Sequence, residues 1–197
     1  FLKQHYPQYL KDYHQLPIKI MRIDFFRYIA VYHFGGFYVD LDVECFKSFS
    51  NLTKHSAVFP IENELIKEVC QKDKILGRYK NHNCDTYKYD VGQYTFGASP
   101  RHPFMKNLVD NIVNNIDEIS KEYNNLVSNS RSTKFFVYYT TGPDYVSHEY
   151  YKFQDTSYPK SGYNIELLHA GHNKKTNKYN WFRFGEYAQH KLFGTWK

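Results

Sequence analysis

Two aspartates with one residue between them, Asp40 and Asp42, carry the clearest chemical signal in this chain. They close the run Phe37-Tyr38-Val39-Asp40-Leu41-Asp42, whose pattern reads as a short strand. Side chains two apart on a strand share a face. Phe37, Val39 and Leu41 are then expected to enter a core, with Tyr38, Asp40 and Asp42 on the opposite face. The two aspartate Cα atoms would lie about 6.5 Å apart, where like charges repel unless protons or a cation lie between them. A hard divalent cation takes oxygen ligands and often shares carboxylates with a substrate's phosphates. Asp40 and Asp42 are therefore expected to form half of a cation cage, with a diphosphate as the other half. For an isolated Asp-x-Asp, a solvated strand end is the competing reading.

A helix must deliver further groups to that strand. Asp24 and Arg27 stand at i and i+3, neighbours on one helical face. They form either a surface ion pair of little energetic weight or an acceptor and donor that grip hydroxyls near the cation. Ile20, Ile23 and Ala30 are the expected buried stripe of this helix, which runs to about Phe34. Gly35-Gly36 then turns the chain back, setting the helix directly against the strand with the carboxylates.

Taken together these residues spell Arg-x-Asp-x-x-Arg-Tyr followed by Gly-Gly-x-Tyr-x-Asp-x-Asp, through Arg22, Asp24, Arg27, Tyr28, Gly35, Gly36, Tyr38, Asp40 and Asp42. The run from Phe1 to Phe49 thereby resembles the metal-dependent sugar transferases of glycosyltransferase family 32. Its opening, FLKQHYPQYLKDYHQLP, is similar to the branch that mannosylates inositol phosphoceramide. A more distant similarity is to the glucosyltransferase domains of large clostridial toxins. The resemblance implies an α/β, GT-A-like fold, a Rossmann-type mixed sheet flanked by helices, over a single domain, residues 1–197. It also implies that the first N-terminal βα unit, which holds the nucleotide base in the family, is missing from this stretch.

The resemblance also assigns roles. Asp42 is expected to bind Mn²⁺ or Mg²⁺ directly, and Asp40 to do so through water or to hold the ribose. Asp24 and Arg27 would bind sugar hydroxyls, and Tyr38 belongs to the same substrate-binding motif. Gln93 stands where the family commonly has an Asn near the donor sugar, so an amide is kept. Thr141-Gly142-Pro143 looks like the family's Thr-Gly-Pro turn and is read first as structural. Near the end, His190 and Gly194-Thr195-Trp196 resemble the family's closing step. His190 would supply a nitrogen ligand or a phosphate contact, and Trp196 would cover the leaving diphosphate. A packed histidine and a core tryptophan are the alternative.

Composition bounds these readings. The chain has 197 residues, 42% of them hydrophobic, enough for a core and too many for a disordered segment. Aromatic residues reach 19%, which favours sheet packing and leaves rings for stacking on a base or sugar. A formal net charge of +6 suits an anionic partner. The Lys and Arg are dispersed, which argues against nucleic acid. Cys45, Cys70 and Cys84 have no zinc-ligand spacing, and Cys45 is read as a small buried residue. No run approaches the 18 apolar residues of a membrane span.

Along the chain, a broken helix is expected over Phe1 to Leu16, a buried strand at Ala57 to Pro60 and a helix over Asn63 to Leu76. A loop over the site follows from Gly77 to Asp90, then a strand from Tyr94 to Ala98. Ser99 is the expected cap, and Pro100 the first turn, of a helix running to about Tyr123, with Phe104, Leu108, Ile112, Ile116 and Ile119 as its apolar stripe. A polar linker from Asn124 to Ser132, an element at Phe135 to Thr140, a late strand at Ile165 to His169 and a loop from His172 to Asn180 complete the reading.

The expected function is metal-dependent, retaining transfer of a hexose from a nucleotide-diphosphate sugar, GDP-mannose or a UDP-hexose, to a glycan, lipid or protein acceptor. Peripheral membrane association would accompany a lipid acceptor. The parent of a eukaryotic family member with an upstream anchor would reside in the Golgi lumen. The alternative is a non-catalytic nucleotide-sugar or glycan-binding domain derived from a transferase. A hydrolase is disfavoured, because its two carboxylates flank a bond from opposite sides.

Overall fold

The computed structural model describes residues 1–155, 162–169, 172–173, 178–179 and 182–192. The chain opens with α1 (Leu2–His5), a 3₁₀ turn at Pro7–Tyr9 and α2 (Leu10–Gln15), so Pro7 breaks the first helix as its fixed φ and missing donor require. α3 (Lys19–Phe34) follows. Its buried face is Met21, Phe25, Tyr28 and Ile29, not Ile20, Ile23 and Ala30 as the sequence suggested. The aromatic side chains bury more apolar surface, and they set the rotation of the helix. Ile20 and Ile23 line a cleft instead.

Gly35 ends α3 at φ +68°, with its N–H donating to the Val31 carbonyl at 2.8 Å. A Cβ at this position would lie 2.6 Å from Pro100 Cδ, so both the left-handed backbone and the close approach call for glycine.

The strand that follows, β1 (Gly36–Val39), is shorter than expected. β2 (Val43–Cys45), β3 (Ala57–Glu64), α4 (Lys67–Ile75), β4 (Tyr89–Val91) and β5 (Thr95–Ala98) come next. Asn63 and Glu64 thus extend a strand and do not start α4. Then come α5 (Pro103–Asn114), α6 (Ile116–Ser128), α7 (Lys134–Thr140) and α8 (Pro143–Asp155). The single helix expected to Tyr123 is therefore two, and α6 takes up much of the expected linker. Asn115 interrupts them, its side chain bonding back to the Asn111 carbonyl at 2.7 Å. The apolar stripe from Phe104 to Ile119 is buried across the break.

Ser99 and Pro100 do not cap α5. His102 does, accepting from the Phe104 N–H through Nδ1 at 3.2 Å, and Pro103 takes the first turn. Burial lowers the His102 pKa to about 4, which keeps that nitrogen a neutral acceptor. The last strands are β6 (Ile165–Leu168), β7 (His172–Asn173), β8 (Lys178–Tyr179), β9 (Arg183–Phe184) and β10 (Ala188–His190).

The main sheet runs β1-β5-β3-β4, with β6 pairing parallel to β3 and the other pairs antiparallel. It is the mixed, helix-flanked α/β sheet that a GT-A-like fold calls for. Alternation sends Phe59 and Phe96 into the larger core, stacked at 5.0 Å beneath α3 and α5. Val58, Tyr94 and Phe37 pack on the other face, against Phe184 and Ala188 of the small β2-β10-β9 sheet. Tyr38 joins the helical core side. Among the described residues, no helix is long and apolar enough to cross a membrane.

Candidate active site

Asp40 and Asp42 meet by a different geometry from the one their spacing suggested. β1 stops at Val39, and the Val43 N–H donates to the Asp40 carbonyl at 3.1 Å, so Asp40 to Val43 form a tight turn. Leu41, at the outside of this turn, is fully exposed (107%) and does not enter the core. The turn is anchored on both sides. The Asp40 N–H donates to the Tyr94 carbonyl at 2.8 Å, and the Lys191 N–H donates to the Asp42 carbonyl at 2.8 Å.

β10 pairs with β2 so that His190 lies opposite Val43. This register brings His190 Nε2 to 3.1 Å from Asp42 Oδ1. The Tyr94 ring stacks on the imidazole at 4.7 Å. One ligand atom from each of Asp40, Asp42 and His190 falls within a 4.8 Å cluster. Two carboxylates and an imidazole suit Mn²⁺ and are compatible with Mg²⁺.

Asp24 and Arg27 are not a surface pair. Asp24 is 1% exposed and Arg27 5%. Arg27 reaches Asp24 at 3.4 Å, Asp40 at 3.4 Å and the Gln93 carbonyl at 3.2 Å, and its guanidinium lies 4.5 Å over the Tyr38 ring. Desolvation works against its charge, but Asp24 and Asp40 outweigh that and leave its pKa raised. Burial pushes the Asp24 carboxyl up to about 6, against the pull of Arg27. Asp24 also accepts from Thr141 Oγ1 at 2.8 Å and from Gln93 Nε2 at 3.4 Å. The Thr-Gly-Pro turn therefore does more than turn the chain, because it supports Asp24.

Tyr38 donates to Asp40 Oδ1 at 2.5 Å and so positions that carboxylate. Gln93 lines the same cleft while its Oε1 accepts from the Tyr28 hydroxyl. Trp196 lies outside the described residues. Cys45, expected to be buried, is exposed and unpaired, because β2 sits in the small outer sheet. Cys70 and Cys84 form a disulfide that closes the segment carrying Arg78.

Asp24, Arg27, Tyr38, Asp40, Asp42, Gln93 and His190 line one cleft of about 660 Å³, a size suited to a small ligand. Its wall includes Glu62, Arg78, Tyr94 and Tyr138, none of which the sequence singled out. No local motif marks Glu62 or Tyr94. Arg78 sits in the loop that was placed over the site on polarity alone.

Glu62 keeps part of its surface open to the cleft. Burial nonetheless pushes its carboxyl from 4.5 up to about 8, with Asp90 adding to the rise and Arg78 opposing it. The unfolded chain would release this proton near the ordinary value and the folded chain only at about 8. The stability linked to the protonated group is thus full below about 4.5 and lost as pH rises towards about 8. Glu62→Gln should melt at an increasingly higher temperature than the parent as pH rises from about 5 to about 8. A melting difference that is flat over that range would contradict the shift.

Comparison with known proteins fits this site. Residues 1–59 match the family described as "Glycosyltransferase sugar-binding region containing DXD motif". The chain is 24% identical over 154 residues to inositol phosphoceramide mannosyltransferase 1 of Schizosaccharomyces pombe, covering 78% of this chain and 37% of that protein. Inositol phosphoceramide mannosyltransferase 3 of the same yeast is 39% identical over 57 residues, 29% of this chain and 16% of the relative. Mannosyl phosphorylinositol ceramide synthase CSH1 of Saccharomyces cerevisiae is 28% identical over 112 residues, 57% of this chain and 23% of the relative. No solved structure matches. These matches support the likeness to DXD-motif glycosyltransferases that the motif suggested. The chain spans little more than a third of the length of the first of these relatives.

Proposed function

We propose that the chain forms the catalytic domain of a metal-dependent, retaining hexosyltransferase that uses a nucleotide-diphosphate sugar. The observation that carries this reading is the convergence of Asp40, Asp42 and His190 within 4.8 Å on the wall of the cleft that also holds Asp24 and Arg27. Asp42 and His190 would hold Mn²⁺ or Mg²⁺ directly, and Asp40 directly or through water. When bound, the cation supplies Lewis-acid stabilisation of the charge on a leaving diphosphate.

Arg27 and Asp24 orient the sugar hydroxyls, and Thr141 and Gln93 hold Asp24 for that task. The acceptor hydroxyl attacks the anomeric carbon on the face from which the diphosphate departs. The carbon–oxygen bond to phosphate breaks, and the hydroxyl proton passes to the leaving phosphate oxygen. The names of the relatives specify mannosyl transfer and inositol phosphoceramide. They support mannose from GDP-mannose as the first donor to test, with a UDP-hexose second, and a lipid-linked or glycan acceptor. The Cys70–Cys84 disulfide is chemistry of oxidising compartments and supports a lumenal setting.

The test is calorimetric titration with GDP-mannose and UDP-hexoses, with Mn²⁺ and with EDTA, followed by a transfer assay. Donor binding and turnover that both require the cation are expected. Turnover in EDTA would overturn the metal reading, and tight donor binding without turnover would make this a binding domain.

A further inference from the structure

A second motif lies away from the cleft. Asn51-Leu52-Thr53 is the only Asn-x-Ser/Thr triplet in the chain, and its middle residue is not proline. Such a triplet accepts an N-linked glycan when it lies on the surface of a chain made in a secretory compartment. Placement in the fold and the compartment therefore separate a usable acceptor from a chance triplet.

The triplet sits in the connection between β2 and β3, on and just after a 3₁₀ turn at Phe49–Leu52. A 3₁₀ helix has three residues per turn, so residues i and i+3 share a face. Phe49 and Leu52 turn inward and join the small core with Phe184 and Tyr187. Ser50 and Asn51 are left facing outward, and both are exposed, as is Thr53. The turn is closed by its neighbours: Thr53 Oγ1 donates to the Ser50 carbonyl at 2.7 Å, and the Ser50 N–H donates to Ser48 Oγ at 3.3 Å. The Asn51 side chain takes no part in these bonds and has no hydrogen-bond partner among the described residues. A substituent on its amide nitrogen would displace no packing and no bond of the turn. None of the residues from Ser48 to Ser56 lines the cleft.

The compartment is read from a separate part of the chain. Cys70 and Cys84 form a disulfide, and both are buried or nearly so. Disulfides of this kind form and persist in oxidising compartments, the secretory lumen among them. A chain folding there meets the glycosylation machinery with its single triplet.

We propose that Asn51 is a modification site that carries one N-linked glycan, outside the wall of the cleft. The Asn51 amide nitrogen bonds to the anomeric carbon of an oligosaccharide held on a polyprenyl diphosphate. The carbon–oxygen bond to the diphosphate breaks, the lipid diphosphate leaves with that electron pair, and the amide nitrogen gives up a proton. The site rests on the lumenal setting given by the disulfide and not on the transfer reaction of the cleft.

The experiment secretes the chain from a eukaryotic cell and measures its intact mass before and after treatment with peptide N-glycosidase. A single discrete mass increase is expected, removed by the enzyme with conversion of the attachment asparagine to aspartate. Asn51→Gln and Thr53→Ala should each abolish it, while Thr53→Ser, which keeps the hydroxyl, should retain it. Glycopeptide mapping of the parent chain gives the same answer if a variant is not secreted. A secreted chain without the glycan, or a glycan that persists in Asn51→Gln, overturns the site. Alkylation of the same preparation separates the causes: a missing glycan with Cys70 and Cys84 protected overturns the site alone, and with both alkylated it overturns the lumenal setting as well. A glycosylated chain that transfers no sugar counts against the transferase reading and upholds the site.

Discussion

Asp42→Asn is expected to lower metal-dependent sugar transfer by about 10²-fold or more while leaving the fold in place. Asn has nearly the same shape as Asp, so the turn should survive. Its anchors are backbone bonds, Val43 N–H to the Asp40 carbonyl and Lys191 N–H to the Asp42 carbonyl. The change removes one negative charge and one strong oxygen ligand from a site offering two carboxylates and an imidazole. The Asp42 side chain is also only partly buried, 18% exposed, so its loss should change stability by about 0.5 kcal/mol or less. Mn²⁺ titration, thermal melting and a transfer assay on the same preparation would separate these effects. Full activity in the variant, or a large drop in melting temperature, would contradict the assignment.

Arg27→Ala is expected to damage both stability and function. Its guanidinium balances two carboxylates, bonds a carbonyl and packs over Tyr38, nearly out of contact with water. Removing it leaves Asp24 buried without its cation, a situation that costs roughly 3–5 kcal/mol. At about 2–4 °C per kcal/mol for a chain of this size, the melting temperature should fall by roughly 10 °C. Asp24 already titrates near 6 with Arg27 present, and without it the folded carboxyl would hold its proton to higher pH. The penalty therefore eases as pH falls and Asp24 becomes neutral, so the loss should be smaller at about pH 5 than at about pH 8. Donor kcat/KM should fall as well, since the same fork is assigned to sugar hydroxyls. A small loss that is equal at both pH values would show that Arg27 does not compensate Asp24.

Much of this site was legible before any fold was in hand. Asp24, Arg27, Tyr38, Asp40, Asp42, Gln93 and His190 all line the one cleft. They were marked by residue type and spacing, and by similarity to a known motif. Details that rest on local rules failed where packing overruled them. The stripe of α3 was displaced because Phe25 and Tyr28 bury more surface than Ile20 and Ile23. Leu41 reads as a core residue by alternation, but the strand ends two residues before it. Ser99 looks like a cap by type, yet a buried neutral histidine caps α5 in its place.

By itself, the sequence determined the chemical inventory of this protein: a diacid beside a tight glycine turn, a carboxylate and guanidinium one helical turn apart, and a histidine near the far end. Only the tertiary structure decided that these groups share a cleft, that Asp24 and Arg27 are buried, and that Glu62 and Tyr94 face them. Spacing along a chain fixes neighbours within a helix or strand. Meetings such as Thr141 with Asp24, or His190 with Asp42, depend on how sheet register and helix packing close the chain over more than a hundred residues. Burial, which sets the proton affinities of Asp24 and Glu62, exists only once that closure is made.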